Sequence, residues 1–300
     1  MILCCGEALI DMIPGPDGRF APLPGGAVFN TAIALGRLGA PVGMLTGLSR
    51  DAFGRQLEAT LIENGVDTGH LIRSDRLTTL AVVHLQNSAA TYAFYDEESA
   101  GRGVQSEDMP LLSDAITGLF FGGISLVSNP AADAYAELLL REREGRLVMM
   151  DPNIRASFIT EKTAYRARLA RMMGLVDIVK VSDEDLHWLV PGTANWRDKA
   201  QGLGPHVVLV TFGAKGAVAV VGNQTVEVAA IPTAVVDTVG AGDTFNAGVL
   251  AALNAAGVTT RAAVGSLAAA DLRGALELGV KAAAVTVSRA GANPPWAQEI

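Results

Sequence analysis

The sequence predicts a three-layer α/β/α fold, a mostly parallel β-sheet covered by helices on both faces, with a small β-sheet lid standing off it. Three observations carry that prediction. Short apolar, β-branched runs recur along the 300 residues, most of them alternate with amphipathic segments of helical period, and two stretches break the rhythm by running extended with no helix between them.

The apolar runs are Met1–Ala8, Val42–Gly47, Gly118–Phe121, Arg146–Met150, Ile178–Val181, Val207–Val210 and Ala217–Val221. Strand–helix alternation of this kind calls for a parallel sheet with helices on its faces. The intervening helical segments are Asn30–Leu38, Phe53–Asn64, Ala131–Arg143 and Thr163–Met173. Leu9–Leu23 and Thr78–Tyr95 alternate at strand period, with a hairpin expected near Gln86–Ala89. Together, as about residues 9–23 and 78–97, they predict a lid over a site at the carboxyl ends of the parallel strands, where open α/β sheets bind ligands. Alanine-rich Gly248–Ala256 and Ala262–Ala270 predict close-packing helices. No repeat, heptad run or low-complexity linker divides the chain, so residues 1–300 are expected to form one domain.

Composition narrows the function. A 50% hydrophobic content supports a large core, yet no apolar run reaches the ~18 residues of a membrane span. The N-terminus lacks the basic segment and cleavage site of a signal peptide, so the cytoplasm is the expected location. The two cysteines, Cys4 and Cys5, are neighbours whose side chains point to opposite faces of a strand, which disfavours a bridge. Four scattered histidines show no metal-ligand spacing. The net charge of −8 and the absence of a Lys/Arg stripe argue against nucleic acid as a partner. Glycines gather at the ends of apolar runs, where the backbone approaches ligands closely.

The most informative segment is Val235-Val236-Asp237-Thr238-Val239-Gly240-Ala241-Gly242-Asp243-Thr244-Phe245-Asn246, which leads into a helical pattern as far as Ala256. Gly240, Ala241 and Gly242 put small residues where backbone N–H groups converge on an anion, and the helix N-terminus adds partial positive charge. An Asp-capped glycine turn would read the same way. Asp243, however, follows the cradle directly with no cation near it in sequence, and a carboxylate beside a transferring phosphoryl group can accept the proton of an attacking alcohol.

That segment resembles the C-terminal signature of the pfkB, or ribokinase-like, carbohydrate kinases, D-T-x-G-A-G-D-x-F, over Asp237–Phe245. Their N-terminal pattern, G-G-x-x-x-N-x-A, is matched by Gly25-Gly26-Ala27-Val28-Phe29-Asn30-Thr31-Ala32. The resemblance implies an ATP-dependent sugar kinase with Asp243 as base and the Gly240–Asp243 amides as the anion hole. It also implies Asp11, Gly25, Gly26 and Asn30, with Phe94 of the lid, at the sugar. Thr211, Gly213 and Gly216 are expected to border the nucleotide, although a β-hairpin would also use these glycines. Lys180 and Ser182 are expected at the phosphates. Ser182 and Asp185 stand where the family has the Asn and Glu of an N-x-x-E motif, so Asp185 is expected to reach Mg²⁺ through water. Asp237 and the Val239 carbonyl, with Ser288 or Gly291, are expected at a K⁺ ion.

Asp151-Pro152-Asn153-Ile154-Arg155 resembles a segment shared by fructokinases and 2-keto-3-deoxygluconate kinases, with Arg155 expected on the transferring phosphate or a substrate oxygen. An arginine near position 96 is the expectation for the sugar-acid enzymes, so Asp96 favours a neutral sugar. D-Fructose, phosphorylated at its 6-hydroxyl, is the first choice and 2-keto-3-deoxygluconate the alternative; ribose and nucleosides fit less well. A non-catalytic sensor on the same fold is the competing class, against which the intact Asp243, glycines and Asn30 count. A dinucleotide dehydrogenase ranks last because no G-x-G-x-x-G follows the first strand. A homodimer through the apolar side of the lid, including Val82 and Leu85, is also expected.

Overall fold

Alternate side chains of one set of strands fill two separate cores, and this arrangement generates the layered architecture. The computed structural model describes residues 1–15, 17–86 and 89–300, without the side chains of residues 84–91. Its strands are β1 (Ile2–Cys5), β2 (Leu9–Pro14), β3 (Phe20–Gly25), β4 (Val42–Leu45), β5 (Gly47–Ser49), β6 (Ile72–Ser74), β7 (Leu80–Gln86), β8 (Ala89–Tyr95), β9 (Gly118–Gly122), β10 (Leu147–Asp151), β11 (Ile178–Ser182), β12 (Val207–Thr211), β13 (Ala217–Val221) and β14 (Gln224–Val228). The main sheet runs β14-β13-β12-β11-β10-β9-β1-β4, parallel from β4 to β12, with β13 and β14 added antiparallel at one edge.

The helices are α1 (Ala27–Arg37), α2 (Ala52–Glu63), α3 (Ala131–Glu142), α4 (Lys162–Met173), α5 (Asp183–Leu189), α6 (Trp196–Gln201), α7 (Ala241–Ala255), α8 (Arg261–Gly265) and α9 (Arg273–Val287). Cys4, Met44, Phe120, Met149 and Leu209 face α1, α2, α7, α8 and α9, whereas Cys5, Leu45, Phe121, Met150 and Val210 face α3 to α6. Both cysteines are free and buried, one in each core, as successive positions of a strand require.

Gly6 turns the chain out of this sheet. A Cβ there would stand 2.6 Å from Val28 Cγ2, so α1 packs against bare backbone. Beyond the bend β2 enters a second sheet of order β3-β2-β7-β8, which contains both extended segments foreseen from sequence. Residues 87 and 88, within the expected Gln86–Ala89 turn, and the side chain of Leu85 lie outside the described residues. Leu9 and Ala81 of this sheet, with Tyr92 and Phe94, pack on Ile124 and Phe158 beside the carboxyl edge of the main sheet.

Two expectations need correction. The helix foreseen over Ala262–Ala270 stops at Gly265, because the Ser266 hydroxyl bonds the Ala263 carbonyl and the Asp271 carboxylate accepts the Ala268 N–H, which starts a new turn. The long helix follows as α9, which packs against α7 through Gly248 and Gly279. Helix α1 also begins three residues before Asn30, so Asn30 projects from within the helix instead of starting it.

Candidate active site at the carboxyl edge of the main sheet

A cavity of about 360 Å³ opens where β1, β9, β10 and β11 end, between the main sheet and the second sheet. A pocket of this size fits a small substrate. At its base α7 begins on Gly240, whose φ of 77° is left-handed, and a Cβ there would stand 2.7 Å from the Ala292 Cβ. Glycine is required on both counts. Among the described residues the Gly240, Gly242 and Asp243 N–H groups have no backbone acceptor, while Ala241 N–H is turned back to the Thr238 carbonyl at 3.3 Å. The anion cradle therefore has three open donors, with Ala241 serving the turn.

Asp243 sits in the first turn of α7 and lines the cavity. Asn30 Nδ2 donates to its Oδ2 at 2.9 Å, and Asn153 Nδ2 to its Oδ1 at 3.3 Å. Burial pushes its carboxyl up to about 7, aided by Asp151 and opposed by the Asn30 hydrogen bond, Lys180 and Arg155. A base poised near neutrality, held by two amides and open to the cavity, suits proton abstraction from an alcohol.

The cavity also brings in Asp11, Gly26, Phe94, Arg155, Lys180, Ser182, Asp185 and Val239. Asp11 has no hydrogen-bond partner among the described residues, and burial raises its carboxyl to about 6 against the pull of Arg155. Its Oδ2 lies where a Cβ of Gly25 would be, at 2.1 Å, so Gly25 serves the site indirectly by admitting that carboxylate. Phe94 stacks on Tyr92 and tilts against Phe158 at 4.7 Å, giving the cavity an apolar wall. Arg155 forms no ion pair among the described residues and bonds only the Asn153 and Ile154 carbonyls.

Asp185 is less free than its position suggested. Its Oδ1 accepts the Ile154 N–H at 3.0 Å and its Oδ2 the Ser182 N–H at 3.2 Å, the latter closing a capping box at the start of α5. Asp237 Oδ1 accepts the Val239 N–H at 3.0 Å and its Oδ2 the Gly291 N–H at 2.9 Å, tying the anion turn to the C-terminal segment. The Ser288 hydroxyl donates to the Val285 carbonyl at 2.7 Å.

Three expected nucleotide residues lie outside the cavity lining. Thr211 is one strand over, paired with Ser182, and Gly213 and Gly216 form the β12–β13 connection. A Cβ on Gly216 would meet the Val228 carbonyl at 2.1 Å, so the close passage of the chain leaving β14 accounts for that glycine. Asp96 is a clear correction. It is 8% exposed, absent from the cavity, and accepts from the Thr79 and Ser99 hydroxyls with Arg102 at 4.0 Å, so it cannot repel a substrate carboxylate.

Two further residues line the cavity, and one stands behind it. Glu7 accepts the Ala27, Val28 and Ser125 N–H groups, capping α1 in place of a residue of its own. Burial raises its carboxyl against those bonds. Asn153 reaches Asp243 from a left-handed φ of 44°. Asp151, behind the wall, pairs with Lys180 at 3.0 Å. The signal for this pair was a lysine inside the apolar run Ile178–Val181 and an aspartate ending another: a buried lysine needs a counter-ion, and the adjacent strand supplies it.

The chain is 46% identical over 284 residues to a fructokinase of Rhizobium leguminosarum bv. trifolii, covering 91% of this chain and 86% of that protein. It superposes on a Vibrio cholerae fructokinase solved with fructose, ADP and calcium ion (TM-score 0.84, 28% identity, 97% of this chain and 94% of that one). A Salmonella enterica aminoimidazole riboside kinase, solved with aminoimidazole riboside and an ATP analog, matches as well (TM-score 0.84, 29% identity, 97% and 94%). Residues 1–299 match the description "pfkB family carbohydrate kinase", and with Asp243 and its open amides at the carboxyl edge of the sheet, the chain belongs to that family.

Proposed function

We propose that the protein is an ATP-dependent fructokinase that converts D-fructose to fructose 6-phosphate. The observation that carries this reading is the placement of Asp243, at once in the first turn of α7 beside three open amides and within hydrogen-bond reach of Asn30 and Asn153. The choice of fructose rests on the relatives' names, because the burial of Asp96 removes the argument from charge.

In this reading the sugar lies between Asp11, Asn30 and Phe94. Asp11 and Asn30 bond its hydroxyls and Phe94 packs on its carbon face. Asp243 accepts the 6-hydroxyl proton as the oxygen attacks phosphorus. The Gly240, Gly242 and Asp243 amides, with Lys180 and Arg155, hold the charge that develops on the transferring group, and positioning plus such electrostatics supply most of the catalysis in phosphoryl transfer.

The residues fit a nucleotide with a divalent cation. The lining holds five carboxylates (Glu7, Asp11, Glu184, Asp185, Asp243) against Arg155 and Lys180, so a polyphosphate enters favourably only with a cation that offsets this field. Mg²⁺ bound with the nucleotide supplies that charge and the phosphoryl group is the nucleotide's. Asp185 and Glu184, which both line the cavity, would hold its waters. A K⁺ ion against Asp237 and the Val239 carbonyl would brace the anion turn.

The second sheet acts as a lid that closes on sugar, and equal ATPase rates with and without sugar would count against that. Val82 and Ala93 share the face turned away from the cavity, where Phe20 and Tyr95 are exposed, which supports a homodimer through the lid. A monomer in light scattering would remove the dimer.

The deciding test is ADP release with Mg-ATP and K⁺ across D-fructose, 2-keto-3-deoxygluconate, ribose, adenosine and aminoimidazole riboside, with Asp243→Asn as control. Fructose-dependent release lost in the variant supports the proposal. Preference for another sugar changes the substrate and keeps the mechanism; no turnover on any of them favours the sensor.

A further inference from the structure

We propose that Asp151 is a positioning residue for phosphoryl transfer, a buried hub that holds Lys180 behind the anion turn and sets Asn153 and α7 around the base. This rests on the sugar-kinase reading of the same site.

Asp151 ends β10 with 1% exposure, and its two oxygens serve three arms. Oδ2 accepts Lys180 Nζ at 3.0 Å and Asn246 Nδ2 at 2.8 Å, and Oδ1 accepts the Asn153 N–H at 3.0 Å. Each arm leads to the reacting centre. Lys180, 4% exposed, lines the cavity, and its Nζ lies 3.1 Å from where a Cβ on Gly242 would stand. Asn246 is on α7, three residues past Asp243. Asn153 is held by its N–H in the left-handed backbone from which its side chain donates to Asp243.

Stability alone does not explain the hub. A buried ion pair is often matched or bettered by apolar residues of similar volume, so three converging arms behind a cavity point to the geometry they fix. Burial works against the Lys180 charge, yet Asp151, Asp185 and Asp243 hold its ammonium above the usual lysine range. The lysine stays cationic where phosphate charge develops. Asparagine cannot replace Asp151, because its amide would turn a donor toward either Lys180 and Asn246 or the Asn153 N–H.

The test is a double-mutant cycle of Asp151→Asn, Lys180→Met and the double variant, read as kcat and sugar KM, with circular dichroism and thermal melts as fold controls. Removing one electrostatic donor from such a site typically costs ~10²–10³-fold in kcat, and that range is expected for D151N and K180M. Sugar KM should stay within about threefold, since Asp11 and Asn30 are untouched. The double variant, which buries no unpaired charge, should lose clearly less than the product of the two single losses, because the Lys180 arm is common to both while the Asn153 and Asn246 arms belong to Asp151 alone. A D151N kcat within about threefold of wild type, multiplicative losses in the double variant, or a loss confined to KM overturns the proposal. If wild type turns over none of the sugars, the substrate reading fails separately. Mg-ATP binding by calorimetry then decides: binding weakened about tenfold or more in both single variants supports the hub, and unchanged binding refutes it.

Discussion

Asn30 Nδ2 donates to Asp243 Oδ2 at 2.9 Å, joining α1 to the first turn of α7 across 213 residues of sequence. The bond pulls the Asp243 carboxyl down against the burial that raises it. Asn30→Ala removes that pull, so the base should stay protonated to higher pH. The rate deficit of N30A should be larger at pH 6 than at pH 8.5, with sugar KM raised because Asn30 also lines the cavity. Equal deficits at both pH values would show that Asn30 serves binding alone.

The wild-type profile follows from the same group. A base must be deprotonated to act, and Asp243 is pushed up to about 7, so activity is present above that value and lost as pH falls through it. The kcat/KM should fall about tenfold per pH unit on the acid side. In Arg155→Met the limb should move to higher pH, since Arg155 favours the carboxylate. A flat profile down to pH 5.5 would falsify Asp243 as the titrating base.

Sequence conveyed the layers because each apolar run has its period-2 alternation resolved into two cores, and conveyed the anion turn because its glycines are demanded locally, as Gly240 shows. What it could not convey were contacts made across strands. Glu7 caps a helix twenty residues away, Asp151 meets Lys180 only when β10 pairs with β11, and Asp96 folds back onto Thr79 and Ser99 instead of facing the cavity. Each depends on how distant segments are brought together, which no local pattern encodes. Gly216 shows the converse, a motif glycine explained by the close passage of the chain leaving β14.

Asp237 tests the anion turn apart from the base. Its carboxylate accepts the Val239 and Gly291 N–H groups, so Asp237→Ala frees the turn while leaving Asp243 bonded to Asn30 and Asn153. The kcat should drop by about one to two orders of magnitude, within the ~10²–10³-fold ceiling for a lost oxyanion donor, with an unchanged acid limb. Any activation by K⁺ should vanish in the same variant. Full activity in D237A would show that the turn holds itself.

Helix α7 carries the base and owes its position to two glycines in its contact with α9. A Cβ on Gly248 would stand 2.6 Å from Gly279 Cα, and one on Gly279 would stand 3.0 Å from the Phe245 carbonyl oxygen and 2.8 Å from its ring. The contacts with Gly279 Cα and the Phe245 carbonyl are with backbone, which no rotamer change relieves, so Gly279→Ala must displace the helices as well as the Phe245 ring. Overpacking of this kind costs about 1–3 kcal/mol, and it should lower the melting temperature and kcat together because Phe245 lies two residues from Asp243. Gly274→Ala, in the same α9, is the matched control: nothing lies within 4 Å of its added Cβ, and the helix gains up to ~1 kcal/mol from the better helix former. A loss in G279A with a gain or no change in G274A assigns the effect to the α7–α9 contact, whereas equal losses would place it in α9 itself.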